Sequence, residues 1–159
     1  GAIFCLVQAV TNTGLLQAFS LRLAEWAGTR FTPVAFGLLV GIALLSGFLA
    51  NVPVVAASIL MIKGYLVAAE VVPDAALASG FTAWPAATIP VFVAMMFGAT
   101  LGGNATLIGA AANIVAAGVC SRNGKPVSFV EWLRYGIPLT IGQLAVSALY
   151  VLILIYFMR

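Results

Sequence analysis

From Ala75 to Ser121 the chain runs 47 residues without one charged side chain, twice the length that crosses a bilayer, and near its middle lies Gly102-Gly103-Asn104-Ala105-Thr106. A helix of about 20 apolar residues spans roughly 30 Å of hydrocarbon. Two adjacent glycines each cost roughly 1 kcal/mol relative to alanine in a helix interior. The run therefore predicts a discontinuous transmembrane helix over 86–120, broken near 102–106, with Pro90 suited to its first turn.

A second uncharged run, Phe31 to Ile62, is 32 residues long, too long for one ordinary span and too short for two spans and a turn. Asn51-Val52-Pro53 supplies the break, because proline removes a backbone donor and clashes with the turn before it. The expectation is a re-entrant helical hairpin over 32–68 with its tip at 51–53; the alternative is one kinked helix ending near Lys63. Residues 1–27 read as a transmembrane helix whose polar positions Gln8, Thr11, Asn12, Thr13 and Gln17 face protein and whose end is anchored by Trp26. Over 128–158, Ser128-x-x-Glu131 reads as a capping box opening a short interfacial helix, and Tyr135 to Met158 as the last transmembrane helix.

Composition agrees with this division. Hydrophobic residues make up 64% and charged ones 7%, and mean hydropathy is +1.17; a soluble domain needs about a quarter of its residues charged to cover its surface. The fold class expected is an all-α membrane protein forming a single transmembrane domain over 1–159 in the lipid bilayer. A net charge of +3 without a basic stripe gives no support for nucleic-acid binding. Zinc is disfavoured by the lack of histidine and of CxxC spacing around Cys5 and Cys120. The chain opens on Gly1 in an apolar run without a basic leader, which reads as a truncated chain. Arg22, Arg30 and Lys63 on one side balance Arg122, Lys125 and Arg134 on the other, so loop charge sets no orientation.

A broken membrane helix exposes N–H groups where one half begins and carbonyls where the other ends, and such ends hold anions and sodium respectively. Both breaks carry an asparagine, whose amide can donate to an oxyanion or ligate a cation. The candidate site is therefore Asn51, Val52, Pro53, Gly102, Gly103, Asn104, Ala105 and Thr106, with sodium as the coupling ion at Asn51 and Asn104. Ser46, Gly109 and Asn113 are secondary candidates, and Asn113 is read first as a helix-packing residue. No catalytic constellation is visible, since Glu70, Asp74 and Glu131 are isolated in expected loops, so an enzyme is not expected.

Gly102-Gly-Asn-Ala-Thr-Leu-Ile-Gly-Ala-Ala-Ala-Asn-Ile-Val115, together with Leu49-Ala-Asn-Val-Pro53, resembles the ion transporter superfamily, which includes arsenite permeases, citrate and dicarboxylate carriers, sodium/proton antiporters and the P protein. Thr13-Gly14-Leu15-Leu16, Val127-Ser-Phe-Val-Glu131 and Tyr135-Gly-Ile-Pro138 extend the resemblance along the chain. It implies half of an inverted-repeat transporter, the C-terminal repeat, completed by an N-terminal repeat and working as a homodimer with an outward-facing C-terminus. The function it implies is secondary active transport of a small anion, an oxyanion such as arsenite or a carboxylate, coupled to sodium or driven by potential. A bacterial inner membrane is the location expected. Sodium/proton antiport is the alternative, and a non-catalytic membrane assembly subunit is the alternative of another class. Ala50-Asn51-Val52 stands where dicarboxylate carriers of this kind carry Ser-Asn-Thr, and Ala50 where antiporters often carry Asp, which places the chain nearer arsenite permeases and the P protein.

Overall fold

The computed structural model describes residues 12–158, and every regular element among them is helical. Residues 1–11, with Gln8 and Thr11, lie outside the described part. Helix α1 is Leu15–Ala27, α2 Phe31–Ser46, α3 Asn51–Ala68, α4 Ile89–Gly102, α5 Ala111–Arg122 and α6 Phe129–Phe157. Short 3-10 turns occupy Asp74–Leu77, Ala86–Thr88 and Gly103–Ala105.

Within the run expected as one helix over 1–27, helix α1 starts only after Gly14, whose φ of 73° is left-handed. Helix α1 then packs on α3 where Gly64 leaves room: a Cβ on Gly64 would lie 3.0 Å from Ser20 Oγ. Ser20 Oγ reaches Leu16 O at 2.7 Å and Met61 O at 2.9 Å, so its hydroxyl is satisfied within the apolar interface.

Helices α2 and α3 form a hairpin. Tyr65, near the end of α3, is fully buried and donates its hydroxyl to Gly28 O, just ahead of α2, at 2.7 Å, so the second arm returns beside the start of the first. The single kinked helix is thereby excluded. The turn occupies residues 47–50, not the expected 51–53, and Asn51 and Pro53 belong to the first turn of α3. Proline is tolerated there because its missing N–H would have had no intrahelical partner. The arms are 16 and 18 residues, so the first, at about 24 Å, is shorter than a bilayer's hydrocarbon while the second can cross it.

Helix α4 lies against α2 at glycine distance. A Cβ on Gly98 would fall 2.7 Å from Leu39 O, and one on Gly102 would collide with Ala43 O, so the pair Gly98 and Gly102 lets two backbones touch. Ala35, Leu39, Ala94 and Val151 fill the space where α2, α4 and α6 meet, and the Phe97 and Tyr150 rings pack edge to face at 5.7 Å. The connector before α4 is held by Phe81, Trp84 and Phe92 in edge-to-face contact, and by Lys63, which donates to Ala78 O and lies 5.6 Å over the Trp84 ring.

Pro90 takes the first turn of α4 as expected, and α4 ends at Gly102. The interruption is longer than 102–106: after the turn Gly103–Ala105 the backbone is extended at Thr106 and again at Ala110 before α5 begins. Ser128 caps the helix as expected, with Glu131 N–H donating to its Oγ at 3.2 Å, which is one half of the capping box. The expected short interfacial helix is not separate, however; Phe129 to Phe157 is one helix of 29 residues running through Pro138. At about 43 Å it exceeds the hydrocarbon thickness, so its first turns extend past the span. By length and composition three helical stretches among the described residues can cross a membrane: Asn51–Ala68, Ala86–Ala105 and Phe129–Phe157.

Candidate functional site

The hairpin turn and the break in the α4–α5 helix meet at Gly103. A Cβ there would lie 2.8 Å from Asn51 Oδ1 and 3.0 Å from Gly109 O, so the start of α3 and the segment leading into α5 both close on one glycine. Gly109 is equally confined, its Cβ position 2.5 Å from Gly103 O and 3.0 Å from Ser46 O. Thr106 Oγ1 donates to Gly47 O and accepts from Gly109 N–H at 2.9 Å, tying the hairpin turn to the extended segment.

Ser46 links the two breaks. Its Oγ is 2.5 Å from Ala99 O and 2.6 Å from Asn51 Oδ1, two acceptors for one hydroxyl proton. Both contacts hold together if the Asn51 amide turns over, its NH2 then donating to Ser46 Oγ and its carbonyl oxygen turning away. In that orientation the second Asn51 N–H stays free to donate to a ligand, beside the carbonyl oxygen. The N-termini of α3 and α5 lack side-chain caps, so each leaves backbone N–H groups and a positive dipole end beside this junction.

Carbonyls released by the break are largely taken by side chains. Asn113 donates from Nδ2 to Gly103 O at 3.0 Å and to Thr106 O at 2.8 Å, the packing role read first from the sequence. Asn104 O accepts from Trp132 Nε1 at 3.2 Å, and Asn104 Nδ2 donates to Gln143 Oε1 at 3.2 Å. A Cβ on Gly136 would lie 2.8 Å from Asn104 O, so α6 rests directly on the break. Beside it opens a cavity of about 560 Å³ lined by Asn104, Asn113, Glu131, Trp132 and Tyr135.

Of the residues expected at the site, the structure brings Ser46, Asn51, Gly103, Thr106, Gly109 and Asn113 together at the junction, while the Asn104 side chain and Ala105 O lie against α6 and Gly102 lies against Ala43 of α2. Val52 is not among them: it is 62% exposed. Pro53 instead lines an apolar cavity of about 660 Å³ between α1, α2 and α3. Helical periodicity separates these two from Asn51, since consecutive positions point about 100° apart. Sequence reasoning missed Gly47, Trp132, Gly136 and Gln143. It also left Glu131 isolated, whereas Glu131 shares a cavity wall with Asn104. The paired Tyr135-Gly136 after Trp132 was the available signal, a small residue where a helix meets backbone.

Comparison with known proteins agrees with the geometry. The family model for the citrate transporter (CitMHS) matches residues 1–159. An uncharacterized transporter of Synechocystis sp. is 40% identical over 151 residues, covering 94% of this chain and 34% of that protein. An uncharacterized transporter of Mycobacterium tuberculosis is 32% identical over 148 residues, 93% of this chain and 32% of its own length. The human P protein is 45% identical over 64 residues, 40% of this chain and 8% of that protein. No solved structure matches. The chain thus spans about a third of the length of the bacterial relatives. Its apolar, span-length helices and these matches together identify an integral membrane protein. The chain belongs to the citrate transporter (CitMHS) family of the ion transporter superfamily.

Proposed function

We propose that this chain is the substrate-holding part of a secondary transporter for a small anion, with the ligand at the junction of Asn51, Gly103 and the start of α5. The observation that carries this reading is the convergence on Gly103 of two interrupted helices, with the Asn51 amide and two uncapped helix N-termini beside it. N–H groups and positive dipole ends favour a carboxylate or oxyanion. Citrate is the first substrate to test, from the family description, and arsenite the second.

The rest of the architecture follows as part of the proposal. The short first arm of the hairpin suits a re-entrant segment, and an inverted N-terminal repeat would account for the greater length of the relatives. A homodimer in a bacterial inner membrane, driven by sodium or by membrane potential and without catalysis, completes it. A potential of 100 mV supplies about 2.3 kcal/mol per charge, roughly fiftyfold in accumulation.

The test is uptake of radiolabelled citrate and arsenite into proteoliposomes holding the complete polypeptide, with and without a sodium gradient. Asn51→Ala is expected to abolish uptake while leaving the protein folded. Uptake at the wild-type rate by Asn51→Ala would overturn the reading. Sodium/proton antiport has one observation in its favour, the Glu131 carboxylate in the cavity with Asn104. That reading predicts sodium-dependent acidification of the lumen without any anion, lost in Glu131→Gln.

A further inference from the structure

Thr140 is 5% exposed, and its Oγ1 is a buried hydroxyl without a hydrogen-bond partner among the described residues. A hydroxyl so placed carries the full cost of desolvation, and in a native fold it calls for a partner, of which a bound ion is one. Its direction follows from its neighbours on α6. Positions 136, 140, 143 and 147 share one helix face, being three or four apart. Gly136 touches Asn104 O and Ala105 O, and Gln143 Oε1 accepts from Asn104 Nδ2. Thr140 lies between them on that face, so its side chain is turned toward the broken segment. Ser147, about two turns further along, satisfies itself by donating to Gln143 O at 2.9 Å, the usual recourse of a hydroxyl on a membrane helix. Thr140 makes no such bond.

We propose that Thr140, Gln143 and Asn104 form a binding site for a monovalent cation of sodium's size, where α6 meets the break and apart from the Asn51 amide. Thr140 Oγ1, Gln143 Oε1 and Asn104 Oδ1 are three hard, neutral oxygens. Divalent cations are held chiefly through carboxylates or substrate phosphates, so a wholly neutral set selects a single positive charge. Asn104 also lines the cavity of about 560 Å³, which gives the ion a way in. On the same wall the Glu131 carboxylate raises the local cation concentration without ligating it. This assignment deepens the transport reading, on which it rests, by giving the coupling ion a place distinct from the anion's.

The experiment uses the complete purified polypeptide in detergent, with radioactive sodium binding and thermal unfolding in sodium chloride against choline chloride. Wild type is expected to bind sodium and to melt higher in sodium than in choline. Thr140→Val should weaken sodium binding by roughly tenfold or more and lose the sodium-dependent rise, whereas Thr140→Ser should keep both. In choline, Thr140→Val should melt at or above the wild-type temperature, because it removes a hydroxyl that lacks a partner. Wild-type sodium affinity in Thr140→Val, or absence of sodium binding by wild type, would overturn the proposal. So would a lower melting temperature of Thr140→Val in choline, which would show that an ordered water already satisfies the hydroxyl. Failure of the transport reading is seen separately, as a protein that binds sodium through Thr140 yet moves no citrate or arsenite into vesicles.

Discussion

Replacing Gly103 by alanine adds one methyl group at the point where both helix breaks close, and its effect can be worked from the geometry. Gly103 has φ −60° and ψ −21°, values open to any residue, so the backbone does not demand glycine. Space does. The new Cβ would fall 2.8 Å from Asn51 Oδ1 and 3.0 Å from Gly109 O. Since non-bonded carbon contacts settle near 3.5 Å, the neighbours must give by roughly half an ångström. The Asn51 amide is the end of a side chain and yields first, which breaks its 2.6 Å contact with Ser46. Overpacking of this kind costs about 1–3 kcal/mol, and the lost hydrogen bond about 1 kcal/mol. Helices α3, α4 and α5 remain intact, so Gly103→Ala is expected to fold with a lowered melting temperature. Its KM for the transported anion should rise roughly tenfold, equivalent to about 1.4 kcal/mol. The assay is concentration-dependent uptake into proteoliposomes, with thermal unfolding alongside. Gly102→Ala serves as the contrast: its Cβ would meet three backbone atoms of Ala43 within 2.7 Å, which cannot swing aside, so it should fail to fold or lose about 3 kcal/mol. Wild-type KM in Gly103→Ala would refute the claim that Asn51 and Gly103 share a ligand site.

Asn113→Ala leaves Gly103 O and Thr106 O without their donor, and each buried acceptor so orphaned costs about 1–3 kcal/mol; circular dichroism on heating should show the loss, and an unchanged melting curve would contradict the clamp. Tyr65→Phe removes the bond that closes the hairpin arms at Gly28 and should lower stability by about 1 kcal/mol, read in the same way, with uptake retained. Ser46→Ala should impair uptake more than stability, because the apolar methyl is tolerated while Asn51 loses the contact that orients it; equal wild-type uptake would remove Ser46 from the site.

Much of this architecture was legible because a bilayer makes sequence rules strict: long uncharged runs must be helical, and a proline or glycine pair within them marks an interruption. The hairpin and the broken helix follow from that rule, as does the position of Pro90. What the rule does not give is the ladder of hydrogen bonds that fills an interruption once made. The non-helical stretch to Ala110 was unforeseen because Leu107 and Ile108 are as apolar as helix residues, while the bonds that hold its backbone come from the Thr106 and Asn113 side chains. The long α6 was read as two pieces because its charged, amphipathic start up to Arg134 contrasts with the uncharged run from Tyr135, whereas the helix passes from one to the other without a break. Val52 and Pro53 were included in the site by adjacency to Asn51, although one residue along a helix turns a side chain to another face. Trp132 and Gln143 reach residue 104 only through tertiary contact, which spacing along the chain does not reveal.

The central claim is that the hairpin turn and the helix break are in contact, and disulfide trapping tests it most directly. In the complete polypeptide with Cys5 and Cys120 replaced by alanine, Gly47→Cys is paired with Thr106→Cys, positions joined in the structure by the bond from Thr106 Oγ1 to Gly47 O. A second pair, Ser20→Cys with Gly64→Cys, whose Cβ positions lie 3.2 Å apart between α1 and α3, serves as the internal standard. Under mild oxidation the account predicts that both pairs bridge. Bridging of the 20–64 pair with none between 47 and 106 would contradict it.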